Sequence, residues 1–203
     1  MARRSEHSRE EIKEMVINAA ETIVIEESFF SLTIRKIALE IDYTVGSIYM
    51  VFENMDDLIM QVKTRTLIKL SLQLNDVINA KLSSEQQLTK LSLCYLEFAN
   101  KEYNLWSMIF EHHLRPKTPI PDYYQQQVDA IFEKVARCFQ SLEPERSNSE
   151  CQLAARTLWS GIHGICILSI SKHLDVVGIK SIEDSVLSLV NNYTDGWVSI
   201  PCG

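Results

Sequence analysis

The sequence predicts an all-α protein. Apolar residues recur at helical spacing through most of the chain, and the breaks between these stretches coincide with capping or turn residues. Composition agrees: of 203 residues only 6 are Gly and 5 are Pro, while Leu, Ile, Glu, Gln and Lys abound. No strand-like alternation of useful length, low-complexity tract or internal repeat is found.

The helices read in order. "SREE" (8–11) has the form of a capping box, with Ser8 as cap and Glu11 reaching back to its N–H. Ile12, Val16, Ala19, Ala20 and Ile23 then line one face of a first helix that ends near Glu27. "SFFSLT" (28–33) breaks it, and Thr33 caps a short second helix whose buried face is Ile34, Ile37, Ala38 and Ile41. "DYT" (42–44) is a tight turn, and Thr44 caps an equally short third helix. Asn54 opens the fourth, with Asp56 and Asp57 complementing the dipole in its first turn. It runs through Leu58, Val62, Leu70, Leu74 and Ile78 to the break at "SSEQ" (83–86). Further helices are predicted over 85–100, 103–113, 122–140, 149–173 and 183–199. The clearest interruptions are "RPKTPIPD" (115–122) and "SLEPERSNS" (141–149).

Two short helices joined by a tight turn, behind a longer one, make a helix-turn-helix unit. In that motif the second short helix enters the DNA major groove through its N-terminal residues. This accounts for Gly46, which interrupts the otherwise helical "IALEIDYTVGSIYMVF" (37–52). A glycine costs a helix interior about 1 kcal/mol relative to alanine. Here the missing side chain lets the backbone approach a phosphate, with free N–H groups and the positive dipole end facing the anion. Thr44 and Ser47 add hydroxyls and Tyr49 a phenol, while Ile48 and Phe52 point inward. Base edges fall to Val45, Ser47 and Met50; Val45 and Met50 can pack on thymine methyls, which favours A·T-containing half-sites. Thr33, Arg35 and Lys36, at the start of the second helix, complete the candidate DNA-binding set.

From residue 10 to 62 the sequence resembles the N-terminal domain of the TetR family of transcriptional regulators. The resemblance runs through "AAETIVIEESFFSLTIRKIALEIDYTVGSIYMVFENMDDLIMQV". It is carried by Ala19 and Ala20, then Phe29, Thr33, Ile34, Arg35, Ile37 and Ala38. The hydroxyl–x–Gly–Ser–apolar–Tyr–x–x–Phe series Thr44, Gly46, Ser47, Ile48, Tyr49 and Phe52 follows, closed by Asp56 and Leu58. Departures are Ser28 and Asp42 at positions where the family usually has glycine, and Met50, Val51 and Met55, the last where a lysine is usual.

The resemblance implies a DNA-binding domain over 1–54 and a variable helical domain over 55–203 that dimerises and commonly binds a small effector. The implied partners are double-stranded DNA with a pseudo-palindromic operator, a second copy of the chain, and an effector whose arrival separates the two reading heads, as in a repressor. "LWSGIHGICILSISKHL" (158–174) resembles the Trp-His-Gly segment of one branch of these domains, through Trp159, His163 and Gly164. Small residues Ser160, Gly161, Gly164 and Ser169 suit close helix approach. With Ile182, Val186, Leu189, Val190, Tyr193 and Trp197 of the last helix, they suggest a helix pair meeting its symmetry mate in a four-helix bundle. An effector pocket needs apolar walls and a few polar groups; Trp106, Phe110, Tyr124, Phe132, Trp159 and His163 are the candidates, with Tyr123 beside them.

Charge qualifies the picture. The chain carries a net −7, and residues 1–65 hold eight Lys or Arg against twelve acids. Phosphate neutralisation drives non-specific affinity, so that binding is expected to be weak. Arg35, Lys36 and a basic arm at Arg3 and Arg4 would supply the attraction. The alternative reading is an interaction module that keeps the fold with weakened DNA binding.

Other classes find little support. Five scattered cysteines with no C-x-x-C pair argue for reduced, mostly buried thiols, with Cys202 the exposed one. Adjacent His112 and His113 point about 100° apart on a helix and cannot share a metal as i, i+4 histidines do. No nucleophile elbow, P-loop or dinucleotide fingerprint occurs, so neither catalysis nor a cofactor is expected. No apolar run reaches the ~20 residues of a membrane span, and "MARRSEHSREEIKE" has no apolar stretch behind its charges. A cytoplasmic protein without a membrane partner is expected.

Overall fold

The structure, a computed structural model, describes residues 7–173, 176 and 178–199. Among these it contains helices α1 (Arg9–Glu27), α2 (Ile34–Glu40), α3 (Val45–Tyr49), α4 (Met55–Ile78) and α5 (Ser84–Lys101). They are followed by α6 (Tyr103–Glu111), α7 (Asp122–Leu142), α8 (Asn148–Ile170) and α9 (Ile182–Ser199). A 3-10 turn at Phe29–Ser31 links α1 to α2, and no strand occurs among the described residues.

The capping chemistry sets the starts. Ser8 accepts from the Glu11 N–H at 3.2 Å while the Glu11 carboxylate accepts from the Ser8 N–H at 2.6 Å. Thr33 and Thr44 accept from the Lys36 and Ser47 N–H groups, each at 3.2 Å. Ser83 with Gln86 and Ser147 with Glu150 make the same reciprocal arrangement, so both breaks are also start signals for α5 and α8. Three ends fall short of the periodicity. α4 stops at Ile78; α6 stops at Glu111 because His112 is extended; α8 stops at Ile170, where Lys172 turns left-handed at φ 58°.

By packing, the chain divides into two compact units, Met1–Leu67 with Glu102–Gln125, and Ile68–Lys101 with Gln126–Gly203. The boundary expected above, at residue 54, falls inside the first of these units. In the first unit Val16, Ala20 and Val24 of α1 meet Ile37 of α2 and Ile48 of α3. Leu58 and Val62 of α4 and Leu105 and Met108 of α6 complete the core. α2 buries Ile37 and Ala38 and half-buries Ile34 and Ile41. In the second unit α5, α8 and α9 pack on one another through Leu88, Leu91, Phe98, Ala154, Leu158, Ile162, Val186 and Val190. α7 joins them through Phe139, whose ring meets Tyr193 and Trp197 edge-on at 5.7 and 5.3 Å.

Gly161 serves this internal packing: a Cβ there would lie 2.6 Å from a Leu189 methyl, so its absence lets α9 close on α8. Gly164 has nothing within 4 Å of that position and faces out. By length and composition α8 could cross a membrane, yet its Ala154, Ala155, Leu158, Ile162 and Cys166 are buried inside this unit. Cys94, Cys138, Cys151 and Cys166 are free, and burial pushes the Cys138 and Cys166 thiols up to about 11. Cys202 lies outside the described residues.

Two departures from the family pattern leave a mark on the backbone. Ser28 sits at φ 97°, ψ 164°, and Asp42 at φ 54°. The first is a region that in practice only glycine occupies, at a cost of about 1–3 kcal/mol. Ser28→Gly is therefore expected to stabilise the protein by about 1 kcal/mol after the extra freedom of glycine in the unfolded chain is subtracted. Thermal unfolding should show a rise of about 2–4 °C; no rise would mean that the serine conformation is unstrained.

Candidate functional site

α3 is held by one side and offers the other. Ile48 and Phe52 are buried in the first unit's core, while Val45, Gly46, Tyr49 and Met50 are exposed, Tyr49 by 50% and Met50 by 64%. Gly46 packs on nothing: the nearest neighbour of a Cβ there would be the Thr44 hydroxyl at 3.7 Å. The glycine is therefore not required by internal fit. Thr44 Oγ1 and Ser47 Oγ lie 2.9 Å apart over the helix start, so the first turn presents two hydroxyls and its free N–H groups together.

The cations around this helix are unequal. Lys36, half-buried, is paired with Glu27. Arg65 is held by Glu14, Glu21 and Asn18. Arg35 is exposed and has no acidic partner among the described residues. Thr33 spends its hydroxyl on the α2 cap. Arg9 was not legible from sequence: its Nη2 donates to the Met50 carbonyl at 2.8 Å, putting a cation at the end of α3 from 41 residues away. His7 Nδ1 likewise reaches the Tyr43 hydroxyl at 2.8 Å, linking the chain's start to the turn between α2 and α3. Such contacts leave no periodic trace. Arg3 and Arg4, the expected arm, lie outside the described residues.

The candidate ligand residues fall into two groups. Trp106, Phe110 and Tyr124 belong to the first unit. Trp106 is buried, with Phe110 edge-on at 5.2 Å, and the Tyr124 ring lies 5.4 Å from the Lys63 ammonium. Burial pushes the Tyr124 phenol up. Phe132, Trp159 and His163 belong to the second. Trp159 stacks on His163 at 5.0 Å, and Phe132 meets Trp159 edge-on at 5.5 Å. Tyr95 completes this cluster, its hydroxyl 2.8 Å from His163 Nδ1. Its place on the buried face of α5 was readable, but not its partner on α8. Burial holds His163 below the ordinary imidazole value, so the neutral ring is favoured.

In the first unit a second polar cluster surrounds the start of α4. Asp56 Oδ1 meets His112 Nε2 at 3.2 Å and its Oδ2 meets Arg115 at 3.4 Å. The Lys63 ammonium, in a residue only 5% exposed, donates to the His112 carbonyl at 3.3 Å. His112 and His113 lie beyond the end of α6 and not on a helix as expected, the first buried and the second exposed.

The family model described as "Tetracyclin repressor-like, C-terminal domain" matches residues 88–193, just over half of the chain. No curated protein matches it. Similar solved structures include a protein of unknown function from Rhodococcus sp. RHA1, with TM-score 0.76, 15% identity, 97% of this chain and 98% of that one covered. Another is the TetR-family transcriptional regulator SCO4454 from Streptomyces coelicolor, with TM-score 0.70, 13% identity and coverage of 94% and 97%. A third is the transcriptional regulator FadR from Bacillus subtilis in complex with stearoyl-CoA, with TM-score 0.64, 15% identity and coverage of 92% and 97%. An all-α chain with a helix-turn-helix at one end, and a match to this C-terminal domain over the other, belongs to the TetR family of transcriptional regulators.

Proposed function

We propose that this protein is a homodimeric, sequence-specific DNA-binding regulator, a repressor released by a small-molecule effector. The observation that carries the reading is the outward side of α3. Its capped first turn, two hydroxyls, open glycine and exposed Tyr49 and Met50 stand on a base fixed by Ile48 and Phe52. Phosphates are met by N–H groups and hydroxyls, and base edges by Val45, Ser47 and Met50.

Dimerisation is supported by α8. Leu153, Thr157, Ser160, Gly164 and Ile167 recur at helical spacing on its exposed side, an apolar and small-residue stripe suited to a close two-fold contact. α9 adds less than its sequence suggested. Val186 and Val190 are buried, Leu189 lies against Gly161, and Tyr193 and Trp197 pack on Phe139. An effector is supported by the aromatic groups above and by a similarly folded regulator that holds stearoyl-CoA.

One observation favours the interaction-module alternative: the head is acidic and Lys36 is already paired with Glu27. Selection of bound duplexes from a random DNA pool, at low and moderate salt, decides between them. Enrichment of a roughly palindromic motif is the expected result. No enrichment at low salt, in protein that is dimeric and folded, would move the alternative ahead.

A further inference from the structure

We infer that Lys63 and His112 anchor a site in the first unit for a small organic carboxylate, the negatively charged end of the effector. The inference deepens the effector-responsive reading above and rests on it, but its test needs no DNA.

Lys63 is a buried ammonium without a carboxylate partner among the described residues. Its contacts are one carbonyl, that of His112, and the face of Tyr124. The nearby acid, Asp56, is spent on His112 Nε2 and Arg115. Arg65, by contrast, is less buried and has Glu14 and Glu21. A buried charge left uncompensated is among the costliest arrangements a fold can hold, and such groups collect at functional sites. Burial alone pulls Lys63 down to about 8.

The second observation is independent. His112 is 9% exposed, and its Nδ1 is buried with no hydrogen-bond partner among the described residues. Burial and the Lys63 charge both disfavour the imidazolium, whereas the Asp56 hydrogen bond favours it. A carboxylate beside Lys63 would remove the like-charge penalty. His112 could then take a proton and donate from Nδ1 to the second carboxylate oxygen. A buried charge without a counter-charge and a buried nitrogen without a hydrogen bond, in residues already joined to each other, would be completed by one ligand. The apolar surroundings, with Tyr124 under Lys63 and Phe29 edge-on to His112 at 5.9 Å, suit a single negative charge. A phosphate dianion would want an arginine fork or a helix N-terminus, neither of which is paired with Lys63.

The linkage has a definite sign. Burial pulls Lys63 in the folded protein down to about 8, below its ordinary 10.5. The unfolded chain therefore keeps the proton through a window where the folded one sheds it, so stability rises with pH across that window. Below it the penalty is complete. Lys63→Met should accordingly raise the melting temperature at neutral pH by about 3 °C or more, and the gain should shrink towards pH ~10.

The test follows the Lys63 side-chain resonance in the full-length, isotopically labelled protein, assigned with Lys63→Met, as pH is varied. Acetate, hexanoate and benzoate are added at tens of millimolar, with acetamide, hexanamide and benzamide as neutral controls. At least one carboxylate is expected to raise the Lys63 midpoint by about one unit, which is a tenfold preference for the charged lysine. The amides are expected to leave it unmoved, and the thermal stabilisation given by that carboxylate should be absent in Lys63→Met. The inference is overturned if no carboxylate moves the midpoint, or if the same carboxylate stabilises Lys63→Met as much as the parent. Its failure with an enriched DNA motif intact would leave the regulator reading standing, and the reverse result would separate the two the other way.

Discussion

Tyr49→Ala is expected to lower affinity for the selected duplex by about tenfold to a hundredfold while leaving the melting temperature within about 1 °C. The phenol is half exposed and packs on no core, so its loss costs the folded state little. What it would lose under the proposed function is a charge-assisted hydrogen bond to phosphate, of about 1.5–3 kcal/mol. Phe52, three residues on, supplies the opposite case. It is buried beneath α3, and Phe52→Ala is expected to cost about 3–5 kcal/mol of stability. Its DNA binding should fall only as the head unfolds, and should recover on cooling. Fluorescence anisotropy with a labelled duplex and calorimetry on the same preparations would separate the two. Equal loss of stability in both variants would sink the assignment of Tyr49 to the reading face.

Gly164→Arg is expected to dissociate the proposed homodimer. The position is open in the protomer, so a long side chain there meets no clash and the helix should tolerate it. Arginine is also a better helix former than glycine, so the isolated fold should be no less stable. Across a two-fold contact, however, two guanidinium groups would enter one seam, with like charges facing each other. Sedimentation velocity should show a monomer of the unchanged fold, with palindromic DNA bound at least tenfold more weakly, since the two half-sites would no longer be held together. A dimer that survives Gly164→Arg would place the interface elsewhere than on this side of α8.

Most of the architecture was legible because helices advertise themselves locally. Ser8, Thr33 and Thr44 cap where the sequence places them, and Ile37, Ile48 and Phe52 are buried as their spacing requires. What escaped was tertiary. Arg9 at the end of α3, Tyr95 against His163, and Lys63 inside the first unit each depend on residues at least 41 positions away. Lys63 is the sharpest case. In a helical pattern a lysine reads as solvent-facing, and only its neighbours show that it is enclosed. Gly161 and Gly164 make the same point within one helix: alike in sequence, one is filled by Leu189 and the other is open. The ends of α6 and α8 were overrun because a backbone change at His112 and Lys172 stopped helices whose apolar pattern continued.

Two of the left-handed residues that are not glycine, Ser28 and Asp42, bracket the segment that contains α2. A segment entered through a strained Ser28 and left through a left-handed Asp42 has less to lose by letting go than α1, which is tied at its start by a reciprocal cap. The reading head should therefore not open as one body. Amide protons of α2 are expected to exchange by a brief local release at lower free energy than those of α1. Restoring glycine at both joints would make the head more uniform, and would remove a point of give beside the surface proposed to meet DNA.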